Sequence, residues 1–215
     1  MKKVILCVFA HPDDEAFGPS GTIAKLSAEN EVFLVCVTDG NDQNNPLSKL
    51  AEIRKKELTE SANILGIKKV FCLNYTDGEL KNNIYHRVAA DIEKIISKVH
   101  PDTLMTFELR GVSGHLDHVF CSLVASYLFR NTDYIQEIMY FAAHMETSKR
   151  MKDYFIYFPD GYENKDADLV IDISKQWDKK IAAIKAHKSQ RNDVTKALNL
   201  IKKLPKNELF FGVKK

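Results

Sequence analysis

Hydrophobic positions along the chain follow two alternating patterns. Short runs of consecutive apolar residues, many of them β-branched, predict strands buried on both faces of a sheet. These runs cover residues 4–10, 32–38, 70–74, 103–107, 137–142 and 169–173. Longer stretches with apolar residues every three or four positions predict amphipathic helices. These stretches cover residues 21–29, 50–66, 85–99, 116–130 and 175–187.

Strands that alternate with helices predict an α/β fold, a Rossmann-like three-layer arrangement with a mostly parallel sheet between two layers of helices. Right-handed crossovers favour the strand order 3-2-1-4-5, with any remaining strands at the edges. Ligands of such sheets bind beyond the carboxyl ends of the strands, where the strand order reverses. We therefore expect a site between the first and fourth strands. No repeat or linker interrupts the pattern, so we expect residues 1–215 to form one domain.

Composition narrows the class of protein. The 31 basic and 29 acidic residues are interspersed and leave a net charge of only +2, which argues against a nucleic-acid partner. We expect the lysine-rich end of the chain to be solvated surface. We expect no membrane span, because no stretch reaches the ~20 apolar residues that one needs, and no signal peptide, because the apolar run at residues 4–10 lacks a cleavage site. The four cysteines form no C-x-x-C pair, which favours a reducing compartment and a cytoplasmic protein.

Two clusters of histidine and aspartate follow the two strands that flank the expected site. The segment AHPDDE occupies residues 10–15 after the first strand, and GVSGHLDH occupies residues 111–118 after the fourth. Imidazole and carboxylate groups are ligands for catalytic zinc, and two histidines with one carboxylate also suit Fe(II). A metal lowers the pKa of bound water, and the remaining carboxylate and imidazole groups suit acid–base work. The spacing alone does not say which group has which role.

Taken together, the two segments resemble the signature motifs of the LmbE-like and PIG-L-like N-acetylglucosaminyl deacetylases. The resemblance continues through the pair Arg54 and Glu57 to the segment at residues 187–190. It implies a Rossmann-like fold, a single zinc ion and removal of an acetyl group from a small amino-sugar substrate, and it makes a homo-oligomer plausible. Many members of this family have proline at the position of Leu116. Leucine supplies no chemistry there and removes none.

Carried over by position, the resemblance implies a role for each residue of the two motifs. His11, Asp14 and His118 are the implied metal ligands, and Asp13 is the implied general base. The resemblance also implies that a cationic His115 stabilises the tetrahedral intermediate and that Asp117 holds and tunes that ring. Arg54 and His187 are the implied substrate-binding residues, Arg54 in contact with the sugar or its substituent and His187 near the pocket.

Simpler interpretations remain open for several of these residues. Asp13 and Asp14 could cap the next helix, and Arg54 with Glu57 has the spacing of a surface ion pair. His187 suits the end of a helix for electrostatic reasons. The aromatic residues in segment 154–158 could line a sugar site, lie in a core strand or contact another protein.

Three other functions are alternatives to deacetylation. A nucleotide-binding Rossmann module would need a glycine-rich loop after the first strand, where this chain has His-Pro-Asp-Asp. A hydrolase of another small amide would use the same fold and residues. A binding protein that uses its metal without catalysis is less consistent with a full set of candidate ligands and acid–base groups.

Overall fold

The computed structural model describes residues 2–41, 49–152 and 154–215. The strands are β1 (Val4–Phe9), β2 (Glu31–Thr38), β3 (Lys69–Tyr75), β4 (Thr103–Phe107), β5 (Glu137–Ala142), β6 (Leu169–Asp172) and β7 (Asn207–Lys214). The helices are α1 (Asp14–Phe17), α2 (Ser20–Leu26), α3 (Leu50–Leu65), α4 (Tyr85–Val99), α5 (Gly111–Gly114), α6 (Leu116–Asn131), α7 (Met145–Met151), α8 (Trp177–Ala186) and α9 (Arg191–Ile201).

The strands of the described residues form one sheet in the order β3-β2-β1-β4-β5-β7-β6. Strands β1 to β5 are parallel to their neighbours, and β7 runs antiparallel to both β5 and β6. The predicted α/β class and the order 3-2-1-4-5 are therefore confirmed. The chain leaves β1 towards β2 and later returns to the other side of β1 as β4, which places the reversal of strand order between these two strands.

Burial explains why the central strands read as unbroken apolar runs. Every residue of β1 after Val4 is buried, as are all residues of β4, because helices cover both faces of the sheet. Helices α2, α3 and α8 pack together in one layer, and α4 packs on α6 in the other. Among the described helices, none is both long and apolar enough to cross a membrane.

Strand β7 lies in the lysine-rich end of the chain, which we expected to be solvated surface. Its Leu209 and Phe210 are fully buried, and its hydrogen bonds join β5 to β6. Helices α7 and α9 were not predicted from the sequence either. The apolar run in β7 is short and lies between lysines, so its pairing partners, rather than its periodicity, make it a strand.

A charged pair inside the fold attaches β7 to the helices. The carboxylate of Glu208 accepts hydrogen bonds from the backbone N–H groups of Gly21 (3.1 Å) and Thr22 (2.7 Å) in the first turn of α2. The ammonium of Lys180 donates to the same carboxylate at 2.8 Å and to the carbonyl oxygen of Gly18 at 2.6 Å. Both side chains are buried, so each charge depends on the other for compensation.

We predict that Lys180→Met destabilises the protein by about 3–5 kcal/mol, because it leaves the Glu208 carboxylate buried without a counter-charge. Urea unfolding followed by circular dichroism measures the change. The matched control is Lys179→Met, since Lys179 is exposed on the same helix, and this variant should remain within about 0.5 kcal/mol of the parent protein. Equal stability of the two variants would contradict the role given to the pair.

Candidate active site

The loops that follow β1 and β4 meet at the switch point of the sheet. Residues 10–15 follow β1 directly, and α5 leads from β4 into the start of α6. The short α5 carries an unusual backbone: Gly111 has φ +73° and Val112 has φ +64°. A Cβ atom on Gly111 would lie 2.9 Å from the backbone nitrogen of Val119 and 3.0 Å from Cβ of His118. The glycine thus allows the loop to pack directly against the histidine-bearing turn.

Three side chains of the two motifs present ligand atoms to one point. Nδ1 of His11 lies 3.1 Å from Nε2 of His118. The carboxylate of Asp14 places one oxygen 3.2 Å from Nε2 of His118 and the other 3.5 Å from Nδ1 of His11. The structure therefore brings together His11, Asp14 and His118, the three residues predicted as metal ligands. The ring of His115 lies next to both histidines, at centroid distances of 4.6 Å and 5.0 Å.

Hydrogen bonds on the far side of each ring select the form that a metal needs. Nδ1 of His118 lies 3.1 Å from the carbonyl oxygen of Gly111, which can only accept, so this nitrogen carries the proton. Nε2 of His11 lies 3.2 Å from the carboxylate of Asp117 and 3.1 Å from that of Asp77. Each ring can then turn an unprotonated nitrogen towards Asp14. Two imidazoles and one carboxylate with outer carboxylate support form a donor set that fits zinc or another divalent metal.

The electrostatics of the cluster favour a cation. Burial opposes ionisation of Asp14, but His118 and His11 hold its pKa well below the usual range. Burial also opposes protonation of His11, yet the neighbouring carboxylates of Asp14, Asp117 and Asp77 raise its pKa well above the usual value. These three carboxylates surround one imidazole. A divalent ion would offset this negative charge.

Asp13 lies beside the cluster and is held by Arg54. One oxygen of its carboxylate lies 2.8 Å from Nη2 of Arg54. Burial raises the pKa of Asp13 to about 6, although Arg54 acts in the opposite direction. Neither Asp13 nor Asp14 is a side-chain cap, since the side chain of Asp13 makes no capping hydrogen bond to α1 and Asp14 accepts from the backbone N–H of His11 at 2.6 Å. The helix-capping interpretation is therefore wrong.

Arg54 is buried on α3 and is not part of a surface ion pair with Glu57. Its Nη1 donates to the carbonyl oxygen of Gly40 at 2.9 Å, and Glu57 instead accepts hydrogen bonds from the backbone N–H and the hydroxyl of Ser189. The surface-pair interpretation is wrong because α3 turns this face inward against α8 and the segment that follows it. Arg54 lines the cleft and also contacts Asp77 at 3.6 Å.

The resemblance implied that the side chain of Asp117 orients the ring of His115. The backbone of Asp117 makes this contact instead. Nδ1 of His115 accepts a hydrogen bond from the backbone N–H of Asp117 at 3.1 Å. The carboxylate of Asp117 lies instead on His11 and accepts from the backbone N–H of Gly78 at 2.8 Å. Burial and the nearby His11 and His118 lower the pKa of His115 to about 4. The ring is neutral near pH 7 in this environment, with its proton on Nε2.

His187 occupies the interior behind the cleft. Its side chain is fully buried, and its Nε2 lies 2.8 Å from the carboxylate of Glu15. The hydroxyl of Ser61 donates to the same carboxylate oxygen at 2.5 Å. The contact with substrate inferred for His187 does not fit this position, because no part of the side chain is exposed. The ring instead supports Glu15, the residue next to Asp14.

Asp77 and Glu15 are site residues that the sequence did not lead us to predict. Asp77 and Gly78 follow β3 after one intervening residue, and Asp39 and Gly40 follow β2 directly. An Asp-Gly pair after a parallel strand is an ordinary turn signal, but its place at the carboxyl end of the sheet could have indicated a site residue. Glu15 belongs to the first motif, and its complete burial separates it from an exposed helix carboxylate.

A cleft of about 430 Å³ opens over the cluster. His11, Asp13, Asp14, Arg54 and His115 lie at one end. The cleft continues between segment 154–158 and α9, where its walls are mainly apolar.

A mostly parallel sheet with a histidine and aspartate cluster at its switch point defines a Rossmann-like protein with a metal-type site. Residues 6–128 match the model of the PIG-L family, described as GlcNAc-PI de-N-acetylase. The chain belongs to this family.

Individual proteins agree with the family match. A probable N-acetylglucosaminyl-phosphatidylinositol de-N-acetylase of Schizosaccharomyces pombe is 32% identical over 139 residues, which are 61% of this chain and 54% of that protein. A probable N-acetyl-alpha-D-glucosaminyl L-malate deacetylase 2 of Bacillus cereus is 30% identical over 200 residues, 88% of this chain and 84% of that protein. The solved structure of N,N'-diacetylchitobiose deacetylase from Pyrococcus horikoshii is 30% identical, with a TM-score of 0.71 and coverage of 99% of this chain and 84% of that chain.

We predict that His187→Gln loses more stability at pH 6 than at pH 9. Burial lowers the pKa of His187, but its hydrogen bond and attraction to Glu15 outweigh this effect and raise the pKa above 6.5. The stabilising contribution of the ion pair is therefore complete below pH 6.5 and is lost as the pH rises through the elevated pKa of the folded protein. Urea unfolding at both pH values should show a loss of about 2–4 kcal/mol at pH 6 and a smaller loss at pH 9.

The control for this experiment is His86→Gln, since His86 is exposed on α4. This variant should show the same small change at both pH values. A loss in His187→Gln that does not depend on pH would show that the ring acts only through packing.

Proposed function

We propose that this protein is a zinc-dependent deacetylase that hydrolyses the acetamide of a small substrate containing N-acetylglucosamine. The observation that carries the proposal is the cluster of His11, Asp14 and His118 with the carboxylate of Asp13 beside it, in a cleft at the switch point. Membership of the PIG-L family and the deacetylases among its relatives support the reaction type. We propose zinc as the metal, because two imidazoles and one carboxylate are a usual ligand set of catalytic zinc; ferrous iron is the alternative for the same donor set.

His11, Asp14 and His118 would hold the metal, with Asp117 and Asp77 fixing the proton of His11 on Nε2. When bound, zinc supplies a Lewis acid that polarises a carbonyl oxygen and makes water a nucleophile near neutral pH. The chain's own residues then position the substrate and move the protons.

Asp13 is the proposed general base. Its carboxylate accepts a proton from the water as the water oxygen attacks the acetyl carbonyl carbon. The carbon–nitrogen bond then breaks, and the nitrogen leaves as the amine with a proton, so that acetate and a free amino sugar are the products. Arg54 holds Asp13 in place at 2.8 Å and is the proposed contact for the sugar or its substituent. The raised pKa of Asp13 suits a group that must both accept and return a proton.

His115 is the proposed partner of the negative charge that develops on the carbonyl oxygen. The backbone N–H of Asp117 holds its Nδ1, which leaves the Nε2 proton for a hydrogen bond. The ring is neutral before the reaction, and its Nε2–H donates a hydrogen bond to the carbonyl oxygen as negative charge develops there; the proton of the leaving amine comes from Asp13, which took it from the water.

Three further proposals concern the domain organisation, the cellular location and the oligomeric state. We propose that residues 1–215 act as one deacetylase domain, which is supported by a single sheet that includes both β1 and β7. A cytoplasmic location is supported by cysteines that are all free. A homo-oligomer stays a prediction.

The reaction is tested by measuring amine release from N-acetylglucosamine and its glycosides, with metal-free and zinc-loaded protein side by side. We expect release only from the zinc-loaded sample. Amine release of equal rate without metal would contradict the proposal, and tight zinc binding without release from any glycoside would point to another amide or to a binding role.

The roles of the site residues separate in two variants. Asp13→Asn should reduce kcat by about 10²–10⁴-fold, because it removes the general base, and should still bind one zinc ion. His118→Ala should lose both zinc and activity. Metal content by mass spectrometry and the amine assay together measure these effects. His86→Ala, on an exposed part of α4, is the control and should retain both properties. Full activity of Asp13→Asn would remove Asp13 from the mechanism.

The link between Arg54 and Asp13 is tested at Gly40, which has φ +64°. A Cβ atom there would lie 2.7 Å from Cζ of Arg54, so Gly40→Ala should displace the guanidinium from Asp13. We expect a loss of about 1 kcal/mol in stability from backbone strain, together with a clear loss of kcat.

Gly66→Ala is the matched control for this variant. Gly66 has φ +80° and ends α3 away from the cleft. This variant should show a similar loss of stability and unchanged kcat. The two variants therefore separate displacement of Arg54 from backbone strain, and equal kcat in both would contradict the proposed link.

A further inference from the structure

The far part of the cleft has an apolar lining that deacetylation of a bare sugar does not explain. We call it the apolar wall, and it is formed by Met151, Tyr154, Phe155, Trp177, Leu200 and Leu204. The whole cleft, at about 430 Å³, lies in the range of sites that enclose a drug-sized molecule. The cleft therefore has room for more than the acetamido sugar ring.

The apolar wall is continuous with the proposed reaction site. The ring of Phe155 lies edge-on to that of His115, with 5.4 Å between centroids. Tyr154 packs edge-on against Phe155 at 4.8 Å and donates a hydrogen bond to Asp193 of α9 at 3.0 Å. Segment 154–158 thus contacts His115 through Phe155 and α9 through Tyr154. A ligand at the metal cluster can therefore extend along this wall.

Several polar side chains that line the same region are already paired with other groups of the protein, whereas the ammonium of Lys196 lies over the ring of Tyr154 and is largely exposed to solvent. Lys180 and Glu208 bind each other. Nε2 of His144 lies 3.0 Å from the carbonyl oxygen of Asn207, and Asp193 accepts from Tyr154. The amide oxygen of Asn207 has no hydrogen-bond partner but is buried from solvent. A second sugar or a polyol would lose hydrogen bonds with water here without full replacement.

From this geometry we propose that the natural substrate is an amino sugar with an alkyl or aryl group attached on the sugar side, and that this group lies along the apolar wall. The inference rests on the proposed function, because the acetyl group must reach the metal cluster and the opposite end of the substrate then faces the wall. Burial of the apolar group contributes the same binding energy in the ground state and in the transition state.

Binding is measured independently of catalysis through Trp177, the chain's only tryptophan. The probes are octyl β-D-glucoside, below the concentration at which it forms micelles, and methyl β-D-glucoside, both without an acetamide. We expect a saturable change in tryptophan fluorescence with the octyl compound at concentrations where the methyl compound causes none. Affinity should rise up to about fourfold for each methylene that becomes buried.

Two apolar-to-polar variants locate the binding surface. Leu200→Gln places an amide on the apolar wall and should weaken octyl glucoside binding by about tenfold. Ile156→Gln is the matched control, since Ile156 belongs to the same loop as Phe155 but is fully exposed and does not line the cleft. This control should bind octyl glucoside as the parent protein does. Equal weakening in both variants would contradict the assignment of the wall.

Kinetics with zinc-loaded protein test the placement of the group on the sugar side. One series keeps the acetyl group and extends the glycoside from methyl to butyl to octyl. The other series keeps the methyl glycoside and extends the amide from acetyl to octanoyl. We expect KM to fall along the first series with little change in kcat, and no such fall along the second.

The outcomes separate this inference from the proposed function. Deacetylation of the methyl and octyl glycosides with equal KM, and no saturable fluorescence change, would overturn the inference and leave the proposed function intact. A fall of KM only along the amide series would place the apolar group on the acyl side and would also overturn it. Octyl glucoside binding without deacetylation of any glycoside would overturn the proposed function and, with it, the assignment of the group to an amino sugar.

Discussion

The site depends on the parallel pairing of β1 with β4. Ile5, Leu6 and Cys7 pair with residues 103–105 across almost a hundred positions of sequence. These strands are buried on both faces. A shift in register would therefore expose apolar side chains or make them clash along the whole length of the strands. Their carboxyl ends are consequently held at one level. The turn after β1 and the loop after β4 then face each other, which is why His11 and His118 lie 3.1 Å apart.

Around this pairing, each histidine is oriented by groups from several loops. The carboxylate of Asp117 reaches His11 and is itself held by the backbone N–H of Gly78 in the turn after β3. The carbonyl oxygen of Gly111 orients His118. These outer contacts set which ring nitrogen carries the proton, and so they determine whether the inner nitrogens can bind a cation. The site is therefore a joint product of three loops at one edge of the sheet.

The cleft combines two environments that favour different parts of a ligand. The end near Asp14 is charged and suits a cation and a polar amide, whereas the wall from Phe155 to Leu204 is apolar. Between them lies His115, in contact with both. The residues that match the PIG-L family model, 6–128, include both motifs of the first environment. The second environment comes from segment 154–158, α8 and α9, beyond the residues that match the family model.

The sequence by itself determined the order of the first five strands and the place of the site, and the resemblance of its two motifs to a known family implied the three residues that converge there. Apolar periodicity and right-handed crossovers follow from local sterics and burial, so they can be read from the chain, as can the two motifs after β1 and β4. Only the tertiary structure decided what each polar group contacts. It placed Arg54 on Asp13, the Asp117 carboxylate on His11, and His187 on Glu15 in the interior. It also inserted β7 between β5 and β6. These outcomes depend on long-range packing and on partners distant in sequence, whose energies no local pattern encodes.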